Sequence, residues 1–394
     1  MCFIASESVG RGVDTVTAGA AGHDFYFPSA RPARPARSRR VGVFVATTDA
    51  RHRKAPPMLT SAQIRDLPKV ELHLHIEGTL EPELIMQLAE RNGILLPWAD
   101  IEELRRQYEF TDLQSFLNLY YANMAVLQTE ADFADMTRAY LRRAQAAGVR
   151  HAEIFLDPQA HTVRGVDLAT CVNGVAGALA ESEAEFGVST ALIVTFLRDR
   201  AAAEALTMMH DLIEMRAPIV GIGLDSAEVG HPPIDFVEVF ALARKHGLQC
   251  VAHAGEEGPP EYIWQALELL QVSRIDHGIR SLEDEELVEH LVQHQIPLTV
   301  CPFSNVRLRV IDTLADHPLP AMLARGLAVT VNSDDPAYFG GYLDDNFRAL
   351  TDTLGFGAVE VAALARNAVR ASFLTADAQA PLHLEIGKWL ADQL

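Results

Sequence analysis

Val70-Glu71-Leu72-His73-Leu74-His75 is the stretch on which the fold turns. It is a short, mostly apolar run ending in two histidines. Side chains on a strand alternate faces, so His73 and His75 point the same way and Leu74 points the other. A doubly wound open sheet would place a Gly-x-Gly-x-x-Gly turn after its first strand, and none follows here. Working outward, further apolar runs recur: HAEIFL (151–156), ALIVTFL (191–197), VGIGL (220–224), QCVAHA (249–254), RIDHG (274–278), PLTVC (297–301) and AVTVNS (328–333). Continuous apolar runs of this length are what parallel strands buried on both faces require. The stretches between them carry helical spacing and caps. Leu113, Phe116, Leu117, Tyr120, Tyr121 and Met124 share one helical face behind Thr111 and Asp112. Thr129 with Asp132, and Ser281 with Asp284, read as capping boxes, and Gly148 as a helix stop. Eight strands alternating with helices predict a (β/α)₈ TIM-type barrel with extra helices in its long first crossover. That crossover is expected to fold over the barrel mouth as a lid.

In such a barrel the C-terminal strand ends ring one mouth, where active sites form. This sequence puts ionisable side chains at four of those ends. They are His73 and His75, then His253 and Glu256 in VAHAGEEG, His277 in RIDHG, and Asp334 and Asp335 in VNSDDPAYF. Buried charges without partners cost several kcal/mol each, so packing is a poor account of them. A metal site accounts for them together. Imidazole nitrogen dominates the set, which suits zinc better than the oxygen-seeking magnesium or calcium. A two-metal centre would often need a bridging lysine or carboxylate near the fourth strand's end. Gly223-Leu224-Asp225-Ser226 holds no lysine, so one zinc ion is expected.

Composition bounds the remaining possibilities. Of 394 residues, 49% are hydrophobic and 22% charged, enough apolar side chains for one large core. A net charge of −20 argues against a nucleic-acid partner and leaves a small neutral substrate compatible. The four cysteines form no Cys-x-x-Cys pair, and Cys250 and Cys301 read as buried thiols of a reducing cytoplasm. No run is apolar enough for a membrane helix, and a secretory core is lacking. Residues 1–57 stand apart. RPARPARSRR (31–40) is basic and of low complexity, so this extension is expected to be disordered, ahead of a metal-dependent barrel domain over 58–394. A transit peptide, a basic contact arm and a translation start at Met58 all fit it, the last being preferred.

ELHLHIEGTL, GIGLDSAEVGHPP, HAGEEGPPEYIW, RIDHG and VNSDDPAYFGGY, in this order and on these strands, resemble the adenosine/adenine deaminase family, most closely its adenine deaminase branch. The resemblance spans Met58 to the C-terminus. It implies a zinc-dependent aminohydrolase with His73, His75, His253 and Asp334 as metal ligands. It further implies Glu256 as proton donor, His277 as the group assisting the attacking water, and Asp335 as the acid that positions substrate. The expected substrate is a small purine, with free adenine ahead of adenosine or another 6-aminopurine. Adenosine deaminases typically carry aspartate at the position of Glu77 and glycine at that of Ser226. The extra methylene of Glu77 is expected to fill ribose space, and Ser226 to reach a ring nitrogen through its backbone N–H. Two rivals remain: a barrel hydrolase of cyclic amides or esters, and a purine-binding relative without catalysis. Loss of a ligand or of the proton donor would mark the latter, and every position is present.

Overall fold

The computed structural model describes residues 58–394. The extension over 1–57 lies outside the described residues. Eight parallel strands pair in chain order. They are β1 (Lys69–Glu71), β2 (Val149–Leu156), β3 (Ser189–Leu197), β4 (Gly221–Asp225), β5 (Gln249–Ala254), β6 (Arg274–His277), β7 (Pro297–Val300) and β8 (Ala328–Val331). Helices lie between them along the chain, so the (β/α)₈ barrel expected from the apolar runs is the fold.

The first strand is shorter than its apolar run. It ladders with β2 from Lys69 to Glu71, and pairing with β2 resumes at the rim, where the Phe155 N–H donates to the Leu74 carbonyl (2.8 Å) and the Ile76 N–H donates to the Phe155 carbonyl (3.0 Å). At the seam the Leu72 N–H is bonded by the Asn332 side-chain oxygen (2.9 Å) instead of a backbone carbonyl. Direct backbone pairing resumes only at the rim. There the His75 N–H donates to the Asp334 carbonyl (3.0 Å), and the Asp334 N–H donates to the His73 carbonyl (3.1 Å). The helix Ala358–Ala371 packs on both β1 and β8, covering the seam from outside.

The first crossover contains four helices, Pro82–Asn92, Ile101–Arg105, Leu113–Asn123 and Glu130–Ala146. Asp112 caps the third through the Ser115 N–H, and Thr129 with Asp132 forms the capping box of the fourth. The expected box at Ser281 is not used. After β6 the chain makes a short 3₁₀ turn, Ile279–Glu283, so the next helix starts later, at Glu285. Asp284 is its N-cap, accepting from the N–H groups of Glu286 and Leu287. An aspartate there satisfies two of the helix's free donors at once.

The barrel interior is partly ionic. Arg274, fully buried, donates to Glu153 (2.6 Å) and to the carbonyls of Leu72 (3.1 Å) and Ala371 (3.3 Å). Glu71 accepts from the Tyr140 hydroxyl (2.7 Å) and from Ser333. Burial alone pushes the Glu71 carboxyl up, against the pull of these donors. Cys171, Cys250 and Cys301 are buried and unpaired. Among the described residues no helix is long and apolar enough to cross a membrane.

Candidate active site

Alternation along the first strand's extension carries His73 and His75 inward at the rim. The ends of β5, β6 and β8 bring His253, His277 and Asp334 to meet them. His73 Nε2 lies 3.1 Å from Asp334 Oδ1, and His75 Nε2 lies 3.2 Å from His253 Nε2 and 3.6 Å from Asp334 Oδ1. His277 Nε2 stands 3.8 Å from Asp334 Oδ2 and 3.6 Å from Glu256 Oε2. All these side chains are almost wholly buried.

The hydrogen bonds behind the ring fix what its inner atoms offer. The Thr299 hydroxyl donates its one hydrogen to Asp276 Oδ1 (2.7 Å), so it accepts the Nδ1–H of His73 (3.0 Å). His73 Nε2 is then an unprotonated acceptor facing a carboxylate oxygen, and it has no hydrogen-bond partner. Two acceptors held 3.1 Å apart in a dry site call for a cation between them. Histidine nitrogen plus one carboxylate is a donor set that suits a divalent transition metal, and a carboxylate or hydroxyl behind a ligating imidazole is the usual support. His73, His253, His277 and Asp334 form one group close enough to share an ion, and His75 with Asp334 and Asp335 forms an overlapping one. His75 Nδ1 faces Asp225 (3.5 Å) and Asp157 (3.8 Å), and His253 Nδ1 faces Asp276 (3.8 Å).

Electrostatics divides the acids and bases of the mouth. Burial, then the neighbouring Asp334, raises the Glu256 carboxyl well above the ordinary range, the direction that favours its protonated form. Burial and the nearby His73 bring His277 down to about 3, so its imidazole is neutral. Burial, then Asp334 and Asp157, raises Asp335. Three of the residues here hold a left-handed backbone without being glycine: Ser226 (φ 71°), His277 (φ 63°) and Asp334 (φ 64°). Such strain, of order 1–3 kcal/mol each, collects where side-chain aim matters more than stability. Gly78 meets the reverse demand. A Cβ there would stand 2.1 Å from Asp335 Oδ1, so only glycine lets this turn pack against the acid.

Over the ring sits a cavity lined by the clustered ionisable side chains on one side and apolar rings on the other. Its walls include His75, Glu256, His277, Asp335 and Ser226. Its roof is the helix Leu113–Asn123, through Leu113, Phe116, Leu117, Tyr120 and Tyr121. The first crossover therefore does cover the mouth. Ser226 is tied to that roof by a hydrogen bond to the Tyr121 hydroxyl (3.1 Å). Glu77 lies behind the wall. Its Oε1 accepts from the Asp157 N–H (3.1 Å) and from His161 (2.8 Å), while Oε2 has no partner. Sequence reading missed Asp157, Asp225, Asp276 and Thr299. The first three sit at or next to strand ends, as His253 does. A threonine inside an apolar strand carries no such signal.

A nearly closed barrel with imidazoles, carboxylates and a glutamate of raised pKa gathered at its C-terminal mouth is the arrangement of a metal-site hydrolase. Residues 68–389 match the adenosine deaminase family, and the chain belongs to it. It is a hydrolytic deaminase. Its relatives include an adenine deaminase of Streptomyces coelicolor, 61% identical over 79% of this chain and 92% of the relative. Another, from Rhodospirillum rubrum, is 53% identical over 82% and 97%. The crystal structure of an adenine deaminase from Arthrobacter aurescens is 65% identical and superposes with a TM-score of 0.82, covering 82% of this chain and 99% of that one. An amidohydrolase of Burkholderia ambifaria with bound zinc is 27% identical, with a TM-score of 0.78 over 84% and 93%.

Proposed function

We infer that this chain is a cytoplasmic zinc enzyme of purine salvage that hydrolyses adenine to hypoxanthine and ammonia. The observation that carries the reading is the meeting of His73, His75, His253 and Asp334 beside Glu256 and His277 at the floor of one cavity. The names of the relatives and the zinc in the Burkholderia neighbour support it. A zinc ion on those four side chains would supply Lewis-acid activation of water near neutral pH.

The protein's own groups account for the rest. Attack at carbon 6 of an aromatic purine is difficult until nitrogen 1 is protonated. Glu256, kept protonated by burial, delivers that proton. Neutral His277 orients the attacking water from the other side of Asp334. Asp335, in the cavity wall, takes up the exocyclic amine as it leaves. Ser226 holds the base from the cavity wall, and the lid helix excludes bulk water. Water adds its oxygen to carbon 6, the carbon–nitrogen bond breaks, and ammonia carries off the amine.

Ultraviolet absorbance with adenine, adenosine and N6-substituted adenines side by side tests the assignment. Adenine is expected to give the highest kcat/KM. A preference for adenosine would overturn the choice of free base, and one zinc per chain is expected by elemental analysis.

A further inference from the structure

Glu256 is an acid without a handhold. Its Oε1 has no hydrogen-bond partner, and its Oε2 comes no nearer than 3.6 Å to His277. Its carboxyl is therefore placed by the backbone that bears it. That backbone is gripped by a residue outside the cavity wall. Glu228, three positions past the end of β4 and almost wholly buried, turns its carboxylate into the loop that follows β5. Oε1 accepts the Gly255 N–H (2.7 Å). Oε2 accepts the N–H groups of Glu256 (3.1 Å), Glu257 (2.9 Å) and Gly258 (2.7 Å). Four consecutive backbone donors converge on one carboxylate, the arrangement of an anion nest filled by the protein's own side chain.

The glycines on either side make this possible. Gly255 is left-handed (φ 71°), and a Cβ on Gly258 would come within 2.5 Å of the Glu228 carboxylate. Arg198, one residue past β3, holds the start of the same loop by donating to the His253 carbonyl (2.7 Å), and it also donates to the His231 carbonyl (2.8 Å).

The geometry points to Glu228 as a positioning residue. It touches no reacting atom, and it fixes the turn that aims the Glu256 carboxyl at the substrate. The inference rests on the reading of Glu256 as proton donor, and it adds a residue to that machinery from a different strand. It also explains why Gly255 and Gly258 flank the acid.

Glu228→Gln and Glu228→Met in the metal-loaded enzyme test it, by amide exchange and by kinetics with adenine. In Glu228→Met, exchange at residues 255–258 is expected to quicken at least about tenfold, with the barrel strands unchanged. Its kcat is expected to fall about 100-fold, the cost of a misplaced catalytic group, with metal content retained. KM is expected to move less than about threefold. Glu228→Gln keeps one acceptor oxygen and should fall between wild type and Glu228→Met. Should the methionine variant fail to fold, the glutamine variant decides on the same readings, with a loss of about tenfold. A kcat within about threefold of wild type, or a KM rising as kcat falls, overturns the inference. Glu256→Gln is the control. If it turns over normally, the proton-donor reading falls and this inference with it. If it is inactive while Glu228→Met is active, only this inference falls.

Discussion

At the scale of single residues, chemistry here depends on environment more than on identity. Glu256 and Glu153 are both buried glutamates. Burial and Asp334 push the first above the ordinary range, while Arg274 pulls the second below it despite its burial. Glu256→Gln is therefore expected to lose about 100-fold to 10,000-fold in kcat, the usual contribution of a general acid, while keeping its metal; steady-state rates and elemental analysis check both. His75→Ala should instead lose metal. The histidines and acids of the mouth were legible because each closes an apolar run. Their supports were not: Thr299, Asp276 and Glu228 owe their roles to partners far away in the chain. His73 lies 226 positions from Thr299, a pairing no local pattern announces. Glu77 was read as a pocket residue, and its carboxylate lies behind the wall beside His161.

At the scale of elements, strands and the lid helix were readable from periodicity, and their ends less so. The run 70–75 reads as one strand, yet continuous laddering with β2 stops at Glu71, and on the β8 side the Leu72 N–H meets the Asn332 side chain in place of a backbone carbonyl. The helix after β6 begins at Glu285 because a 3₁₀ turn intervenes. Strain is distributed unevenly among element ends. Gln271 ends the helical segment before β6 in a left-handed conformation (φ 54°), on the surface and far from the chemistry. Gln271→Gly is expected to stabilise the protein by about 1 kcal/mol, read as a higher urea midpoint at unchanged slope. Inside the barrel the balance is reversed. Glu153→Ala leaves the Arg274 guanidinium buried without its carboxylate, and a loss of about 3–5 kcal/mol is expected from the same urea titration.

At the scale of the whole molecule, acid should destabilise the fold through buried neutral histidines. His317 is one. Its Nδ1 accepts the Leu319 N–H (3.1 Å), so its Nε2–H donates to Asn305 (3.2 Å), and burial holds it down to about 4. The unfolded chain binds a proton near pH 6.5, where the folded chain does not. Stability therefore falls as pH drops from 6.5 to 4 and flattens below. This one histidine should account for about 2 kcal/mol by pH 5. His317→Gln is expected to be less stable at pH 7 but to show a shallower decline between pH 7 and 5. Urea melts of both proteins at each pH give that comparison, and equal slopes would refute it. The rim of the seam carries a further consequence. On the proposed ligand set, His73, His75 and Asp334 lend their side chains to the ion site and their main chains to the last rungs joining β1 to β8. Cofactor retention and ring integrity are thus one cooperative unit. A chelator ought to loosen the β1–β8 rungs before any other pair, and a chain whose ring has sprung open should be unable to keep its ion.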